Sequence, residues 1–182
     1  MFEELDVTVV PFEKVFPKIQ VQFLKHLSAI YNINTLYTGK FNQDVKKILL
    51  HFTIHETCKY FLELKSNYKH TILLVDSSFA NSNFGIFEMY NKDSVTHFIL
   101  NKFKRIKNQL PFPVVVLDKP LNSYKKDSGE VKELKCTIVK LVEEYITKPP
   151  HLRDIKAFTI MNGLKQLSLH YFDSVDFKKI FY

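Results

Sequence analysis

The chain has 182 residues, 25% of them charged, and a formal net charge of +7. A chain of this length buries enough apolar surface to fold without a metal or a disulfide, so one globular domain with at most a small appendage is expected. The charge favours an anionic partner, and Cys58 and Cys136 lie in apolar patterns typical of reduced core residues. No run approaches the roughly 20 apolar residues of a membrane span, so no membrane partner is expected.

The first third of the chain predicts a strand and two helices. Asp6–Phe12 is a short apolar strand pattern, and apolar residues at helical spacing predict a helix over 17–31 with Pro17 in its first turn. Asn42 is placed to cap a second helix. Alternation of apolar and charged residues over 58–65 then predicts a strand.

Later segments continue the alternation of strands and helices. Aliphatic runs at 72–75 and 114–117 predict strands that are buried on both faces of a sheet, and Phe84–Tyr90 predicts a further strand. Apolar residues at helical spacing predict helices over 95–110 and 131–146. This order favours an α/β fold in three layers. The core candidates on the helices are Phe98, Phe103, Leu134, Leu141 and Tyr145.

Two carboxylates follow the doubly buried strands. Asp76 and Asp118 occupy positions that hold metal ions in many α/β enzymes, but an aspartate there also commonly caps a loop. A metal-dependent phosphoesterase or nuclease that uses these two residues is therefore one alternative. His51 and His55 have the i, i+4 spacing of a helical metal pair but lack a third ligand. The residues themselves thus assign no catalytic group, no metal and no cofactor.

Basic residues cluster in the second half of the chain. Lys104 and Arg105 end one predicted helix, and Lys125 and Lys126 lie in the polar segment 118–130, which is predicted to be a mobile loop. Lysines and arginines on one surface neutralise phosphates without reading bases, so these four are candidate contacts to a nucleic-acid backbone. The alternative is a solubilising surface, because glutamates lie among them.

The order of these segments resembles the non-catalytic subunits of the XPF family of structure-specific nucleases. Ile72–Asp76, Val114–Asp118 and the helix with its proline break, Cys136–Pro150, are similar to the end of that family's nuclease-like domain. Met161–Phe177 is similar to part of its helix-hairpin-helix module, where a Leu-x-x-Leu turn precedes a capped helix. The resemblance covers much of the chain through apolar patterns of low specificity.

The resemblance implies two parts. Residues 1–148 would form a three-layer nuclease-like α/β domain with helices flanking its sheet, and residues 151–182 a short, incomplete helix-hairpin-helix tail. Active family members carry a G-D…E-R-K-x-x-x-D signature, and no such run occurs here, so a subunit without nuclease activity is implied. The tail also lacks the Gly-h-Gly hairpin that grips a phosphate backbone, which implies that it faces protein before DNA.

As an expectation from this resemblance, the chain is a non-enzymatic subunit that forms a heterodimer with an XPF-like protein. The pair would bind branched DNA without regard to sequence, promoting meiotic recombination and crossover formation on chromosomes in the nucleus. The apolar tail residues would form the partner interface; they are Leu164, Leu167, Leu169, Phe172, Phe177 and Phe181. A further alternative is an accessory α/β protein that binds only other proteins.

Overall fold

A computed structural model describes residues 1–30, 40–63, 70–81, 85–110 and 112–147. These residues form a mixed α/β fold that is mostly helical, with one sheet of three parallel strands in which the second strand is central. The strands are β1 (Thr8–Pro11), β2 (Thr71–Val75) and β3 (Val114–Val116). In the register of the sheet, Val10 pairs with Leu73 and Val75 pairs with Val116.

The described residues also form five α-helices. They are α1 (Phe12–Ile30), α2 (Gln43–Glu63), α3 (Ile86–Met89), α4 (Lys92–Ile106) and α5 (Gly129–Thr147). Short 3-10 turns follow β2, α4 and β3; they are Ser77–Asn81, Lys107–Gln109 and Leu121–Ser123. Within these ranges, no helix combines the length and the apolar character needed to cross a membrane.

Helices cover both faces of the sheet. Leu73 and Val75 of β2 pack into the larger core cluster, which is shared with α1, α2 and α4. Ile72 and Leu74 point to the other side and pack against the buried face of α5. Because successive side chains of a strand alternate between its faces, a strand covered on both sides must be apolar throughout. The expected α/β fold, with helices on either side of the sheet, is therefore confirmed at this level.

The first helix begins earlier than the sequence pattern predicts. We placed Pro17 in its first turn, but α1 starts at Phe12, so the proline lies inside the helix. An interior proline costs about 3 kcal/mol because it removes one backbone hydrogen bond and crowds the preceding turn. Phe12, Val15 and Phe16 are fully buried in the first turns, and each such side chain contributes about 1.5–3 kcal/mol on burial. Their burial offsets the cost of the proline.

The strand predicted over 58–65 is wrong where the structure describes it, because α2 continues to Glu63. Asn42 caps this helix as expected, since its Oδ1 accepts a hydrogen bond from the backbone N–H of Val45 at 3.0 Å. Ile54, Cys58 and Phe61 are buried at spacings of four and three residues, which is the helical period. Apolar and charged residues also alternate in this segment, as they do in a strand, and this alternation led to the wrong prediction.

The strand predicted over Phe84–Tyr90 is also wrong where the structure describes it, from residue 85 onward, because residues 86–89 form the single helical turn α3. Ile86 is fully buried and Tyr90 is buried as well. Their spacing of four residues suits a helix. The next helix, α4, is capped by Asn91, whose Oδ1 accepts from the backbone N–H of Ser94 at 3.0 Å. The helix predicted from residue 95 thus begins within one turn of the observed start at Lys92.

Helix α5 packs one apolar face against the sheet, whereas a second, narrower stripe of apolar residues faces away from the sheet. Phe103 of α4, and Leu134 and Tyr145 of α5, are buried as predicted, whereas Phe98 and Leu141 are only half-buried. The expectation that both cysteines lie in the core is wrong for one of them: Cys58 is buried, but Cys136 is exposed. The reason is that Cys136 lies on the narrower apolar stripe of α5, away from its sheet-facing side.

Candidate nucleic-acid interface

Asp76 follows β2 at the carboxyl edge of the sheet and is only 4% exposed. Its Oδ1 accepts a hydrogen bond from the backbone N–H of Ser78 at 3.2 Å. Its Oδ2 accepts from the Ser78 hydroxyl at 2.8 Å and from the backbone N–H of Leu121 at 2.7 Å. The carboxylate therefore ties the turn after β2 to the turn after β3. Asp76 therefore caps a loop, which is one of the two roles, structural or catalytic, that the sequence allowed for it.

An open cleft of about 530 Å³ lies beside Asp76 at the same edge of the sheet. Ligands of open α/β sheets commonly bind outside the carboxyl ends of the strands, so this cleft occupies the usual place for a site. Its side chains include Glu13, Asn122 and Tyr124 in addition to Asp76. The only carboxylate deeply buried there, that of Asp76, is directed at backbone and hydroxyl donors of the protein.

Asp118, two residues beyond β3, has a different environment. Its carboxylate forms an ion pair with Lys104 of α4, with Oδ1 and Nζ 2.9 Å apart, and its side chain is 90% exposed. The hydrogen bond and the positive charge of Lys104 lower the pKa of Asp118 below its ordinary value. Among the residues that the structure describes, Asp76 and Asp118 therefore have separate protein partners.

Of the two histidines of α2, His51 is buried and His55 is half-buried. The ring centroid of His51 is 6.0 Å from that of His55. Burial is the main cause that lowers the pKa of His51 to about 3 and that of His55 to about 4. Across the described ranges, no three side chains of His, Cys, Asp or Glu are grouped so that they could hold a metal ion.

The four predicted phosphate contacts have different settings. Lys104 is ion-paired with Asp118, whereas Arg105, the next residue of α4, is exposed and lines a surface pocket. Lys125 and Lys126 are exposed in the segment between β3 and α5. The start of that segment is held by the bond from Leu121 to Asp76, so the predicted mobile loop is anchored there.

The pocket beside Arg105 has a volume of about 410 Å³ and lies between α4 and the start of α2. We call it the cationic pocket, and its lining residues are Phe41, Lys46, Ser94, His97, Phe98, Asn101, Lys102 and Arg105. The two phenylalanine rings meet edge to face, with centroids 5.5 Å apart. Lys46 Nζ lies 5.5 Å from the Phe41 ring centroid and 5.9 Å from that of Phe98, and Lys102 Nζ is also 5.9 Å from Phe98.

Positive charge in this pocket is not balanced by the residues that line it. Lys46, Lys102 and Arg105 all contribute to the lining, and no aspartate or glutamate does. In the described part of the chain, none of the three forms a salt bridge. Burial and the neighbouring charges of Arg105 and Lys46 lower the pKa of Lys102. Like charges held together in this way destabilise the fold unless an anion is present, so the arrangement is suited to binding one.

Sequence reasoning identified only part of the cationic pocket. It named Arg105 as a phosphate contact but took Phe98 for a core residue and omitted Lys102 from the site. The signal was present, because Phe98, Lys102 and Arg105 are spaced by four and three residues and so share one face of α4. Phe41 and Lys46 come from a separate segment, and only the fold brings them to this face.

The predicted partner-interface residues of the tail lie between 151 and 182, outside the described residues. Comparisons of the whole chain with protein-family models, with curated proteins and with solved structures found no match.

Proposed function

We propose that the chain is a non-enzymatic subunit that binds the phosphate backbone of DNA. The observation that carries this proposal is the cationic pocket, where Lys46, Lys102 and Arg105 converge without a carboxylate in the lining. Phosphate contacts of lysine and arginine supply sequence-independent affinity, and each contact releases counterions from the nucleic acid. The net charge of +7 adds long-range attraction to the same class of partner.

The setting of the two strand-end carboxylates supports a binding role over a catalytic one. Both oxygens of Asp76 accept hydrogen bonds that hold loops, and Asp118 is paired with Lys104. A metal-dependent nuclease would need these groups to turn toward a common ion and give up their present partners. The metal-dependent phosphoesterase or nuclease is therefore the less supported alternative.

The partner and the biological setting in this proposal come from the resemblance to the XPF family. We propose that an XPF-like protein completes a heterodimer, that the pair prefers branched DNA, and that it acts in meiotic recombination on chromosomes in the nucleus. Coexpression of the full chain with a candidate partner tests this: the two should elute together in one stoichiometric peak. Elution of the two chains as separate peaks after coexpression would contradict the heterodimer.

The binding proposal is tested by a salt titration on a labelled four-way junction, followed by fluorescence anisotropy with the full chain. The logarithm of the affinity should fall linearly with the logarithm of the salt concentration. Replacing Lys46, Lys102 and Arg105 together by alanine should make this slope shallower by about 2–3, because each lost contact to duplex phosphate removes about 0.9. The variant Lys125→Ala/Lys126→Ala should also reduce the slope if these predicted contacts are made.

A matched control is available on the opposite side of the sheet. Lys132 and Lys140 are exposed on α5, so Lys132→Ala/Lys140→Ala removes two positive charges without touching the cationic pocket. This variant should keep the slope of the unmodified chain. Loss of affinity in the control equal to that in the pocket variants would show that only net charge matters and would contradict a defined binding face.

A further inference from the structure

We infer that the cationic pocket receives one unpaired nucleotide of a single strand, such as occurs at a branch point or a gap. This inference rests on the proposed binding of DNA and adds the form of DNA that this site recognises. It depends on the shape of the pocket, on its aromatic lining and on the positions of its cations, which are independent features of the described residues.

The shape of the pocket suits an unpaired nucleotide better than a duplex. Its volume of about 410 Å³ falls within the range of about 300–1,000 Å³ that is typical of small-molecule sites. The backbone of a duplex presents phosphates on a convex surface, with the bases stacked inside. A duplex can therefore touch the rim of a concave pocket but cannot fill it. A nucleotide whose base is free of a partner can enter.

The aromatic lining of the pocket provides rings that a nucleotide base can contact. Phe41 and Phe98 are both half-buried, and the ring of Phe41 is also held by Tyr90, whose centroid is 5.4 Å away. Rings fixed in this way lose little conformational entropy on binding. Contact between a base and an aromatic side chain is a general means of holding single strands, and it tolerates any sequence because every base has a π face.

The polar groups are arranged around these rings. Lys46 and Lys102 lie near the rings of Phe41 and Phe98, on flexible stems that allow each ammonium group to move to a phosphate. His97 and Asn101 hydrogen-bond to each other across one turn of α4, with Nε2 and Nδ2 2.8 Å apart. Both are exposed and line the same pocket, so they can offer polar contacts to the edge of a base.

The positions of the cations on two helices favour a strand over a free mononucleotide. Lys46 belongs to α2, whereas Lys102 and Arg105 are one turn apart on α4. A free mononucleotide presents its negative charge at one phosphate, whereas a strand presents a phosphate on either side of the nucleotide, so cations from two helices can contact different phosphates. We therefore expect affinity to increase when the nucleotide is part of an oligomer.

The test compares four probes on the full chain: an oligothymidylate, an abasic strand of the same length, a blunt duplex, and free thymidine monophosphate. Lys46→Ala/Lys102→Ala should weaken binding of both single strands about tenfold or more and weaken the duplex by a smaller factor, because duplex phosphates reach these cations only at the rim of the pocket. Phe41→Leu should weaken the oligothymidylate about tenfold, as expected when one base contact is lost, and leave the abasic strand unchanged. Melting curves establish that each variant is folded, and Lys132→Ala/Lys140→Ala serves as the charge-matched control.

The outcomes separate this inference from the proposal beneath it. If the unmodified chain binds none of the three polymers at low salt, the proposed function itself is overturned. If it binds duplex but the pocket variants leave the oligothymidylate affinity unchanged, only the inference is overturned. Equal effects of Phe41→Leu on the abasic and the base-containing strand would contradict base contact. Thymidine monophosphate binding as tightly as the oligomer would contradict recognition of a strand.

Discussion

At the scale of single residues, Asp76 has a structural role that can be measured. Asp76→Ala would leave the backbone N–H groups of Ser78 and Leu121 and the Ser78 hydroxyl without their acceptor. Hydrogen bonds to a charged group are worth about 1.5–3 kcal/mol each, and partial relaxation recovers some of this. We predict that Asp76→Ala lowers the free energy of unfolding in urea by about 2–3 kcal/mol.

Asp118→Ala provides the comparison for Asp76→Ala. Asp118 is exposed and its ion pair with Lys104 is open to solvent, so its replacement should change the unfolding midpoint little. The two variants would also separate a structural from a catalytic role. If both carboxylates served a metal-dependent nuclease, both substitutions would abolish Mg²⁺-dependent cleavage of DNA, whatever their effects on stability.

The two histidines of α2 predict how stability changes in acid. The pKa values of His51 and His55 in the folded chain, about 3 and about 4, lie below the ordinary value of 6.5. The unfolded chain therefore binds more protons, and stability is lost as the pH falls below about 6.5, a loss that continues until the pH reaches the folded values. Between pH 7 and pH 5 the loss is at most about 2 kcal/mol for His51, and it is smaller for His55 because solvent screens the exposed part of its ring.

Urea unfolding at pH 7 and pH 5 checks this prediction. His51→Gln removes one titrating group from the interior, so the variant should lose less stability than the unmodified chain over this pH interval. His97→Gln, at an exposed position of α4, is the matched control for replacing a histidine outside the interior. A His51→Gln variant with the same pH dependence as the unmodified chain would be inconsistent with burial of a neutral His51.

At the scale of elements, hydrogen bonds connect α5 to the turn that precedes β3. The Tyr145 hydroxyl lies 3.1 Å from the carbonyl oxygen of Lys107 and 3.0 Å from that of Leu110, and it donates to this pair. Tyr145→Phe keeps the ring but removes the donor, so we predict a loss of about 1 kcal/mol in the free energy of unfolding. Tyr124→Phe, at a half-buried ring over which Lys119 lies, should change stability by less than about 0.5 kcal/mol.

The elements also show what the sequence pattern can and cannot predict. β2 and β3 were predictable because a strand covered on both faces is a continuous aliphatic run, and α5 because one helical face is apolar over its whole length. The end of α2 and the turn α3 were missed because both are apolar on several sides, which removes the periodicity that separates helix from strand. Burial in the folded protein, as at Ile54 and Ile86, determines that these two segments are helical.

The candidate site was only partly predictable for a related reason. Its α4 residues share a helical face and could be found by spacing, but Phe41 and Lys46 reach the same pocket from a segment about fifty residues away in the chain. A cation's role also depends on its neighbours: Lys104 is paired with Asp118, whereas the adjacent Arg105 faces the pocket. Sequence alone cannot separate these two basic residues.

At the scale of the whole molecule, the three layers separate two surfaces with different character. One outer layer contains α4 and the cationic pocket, and the other contains α5, whose basic residues alternate with acidic ones. Lys135, for example, is paired with Glu4. We therefore propose that DNA binds on the α4 side, whereas at the carboxyl edge of the sheet the carboxylate of Asp76 is occupied in holding loops.

A combined gel-shift and cleavage assay tests the proposal that the chain binds DNA without cleaving it. A labelled four-way junction is incubated at low salt with the full chain and Mg²⁺, and each sample is resolved on both a native and a denaturing gel. We predict a shifted complex on the native gel and full-length strands on the denaturing gel. Absence of a shift, or Mg²⁺-dependent shortening of the strands that Asp118→Ala abolishes, would contradict it.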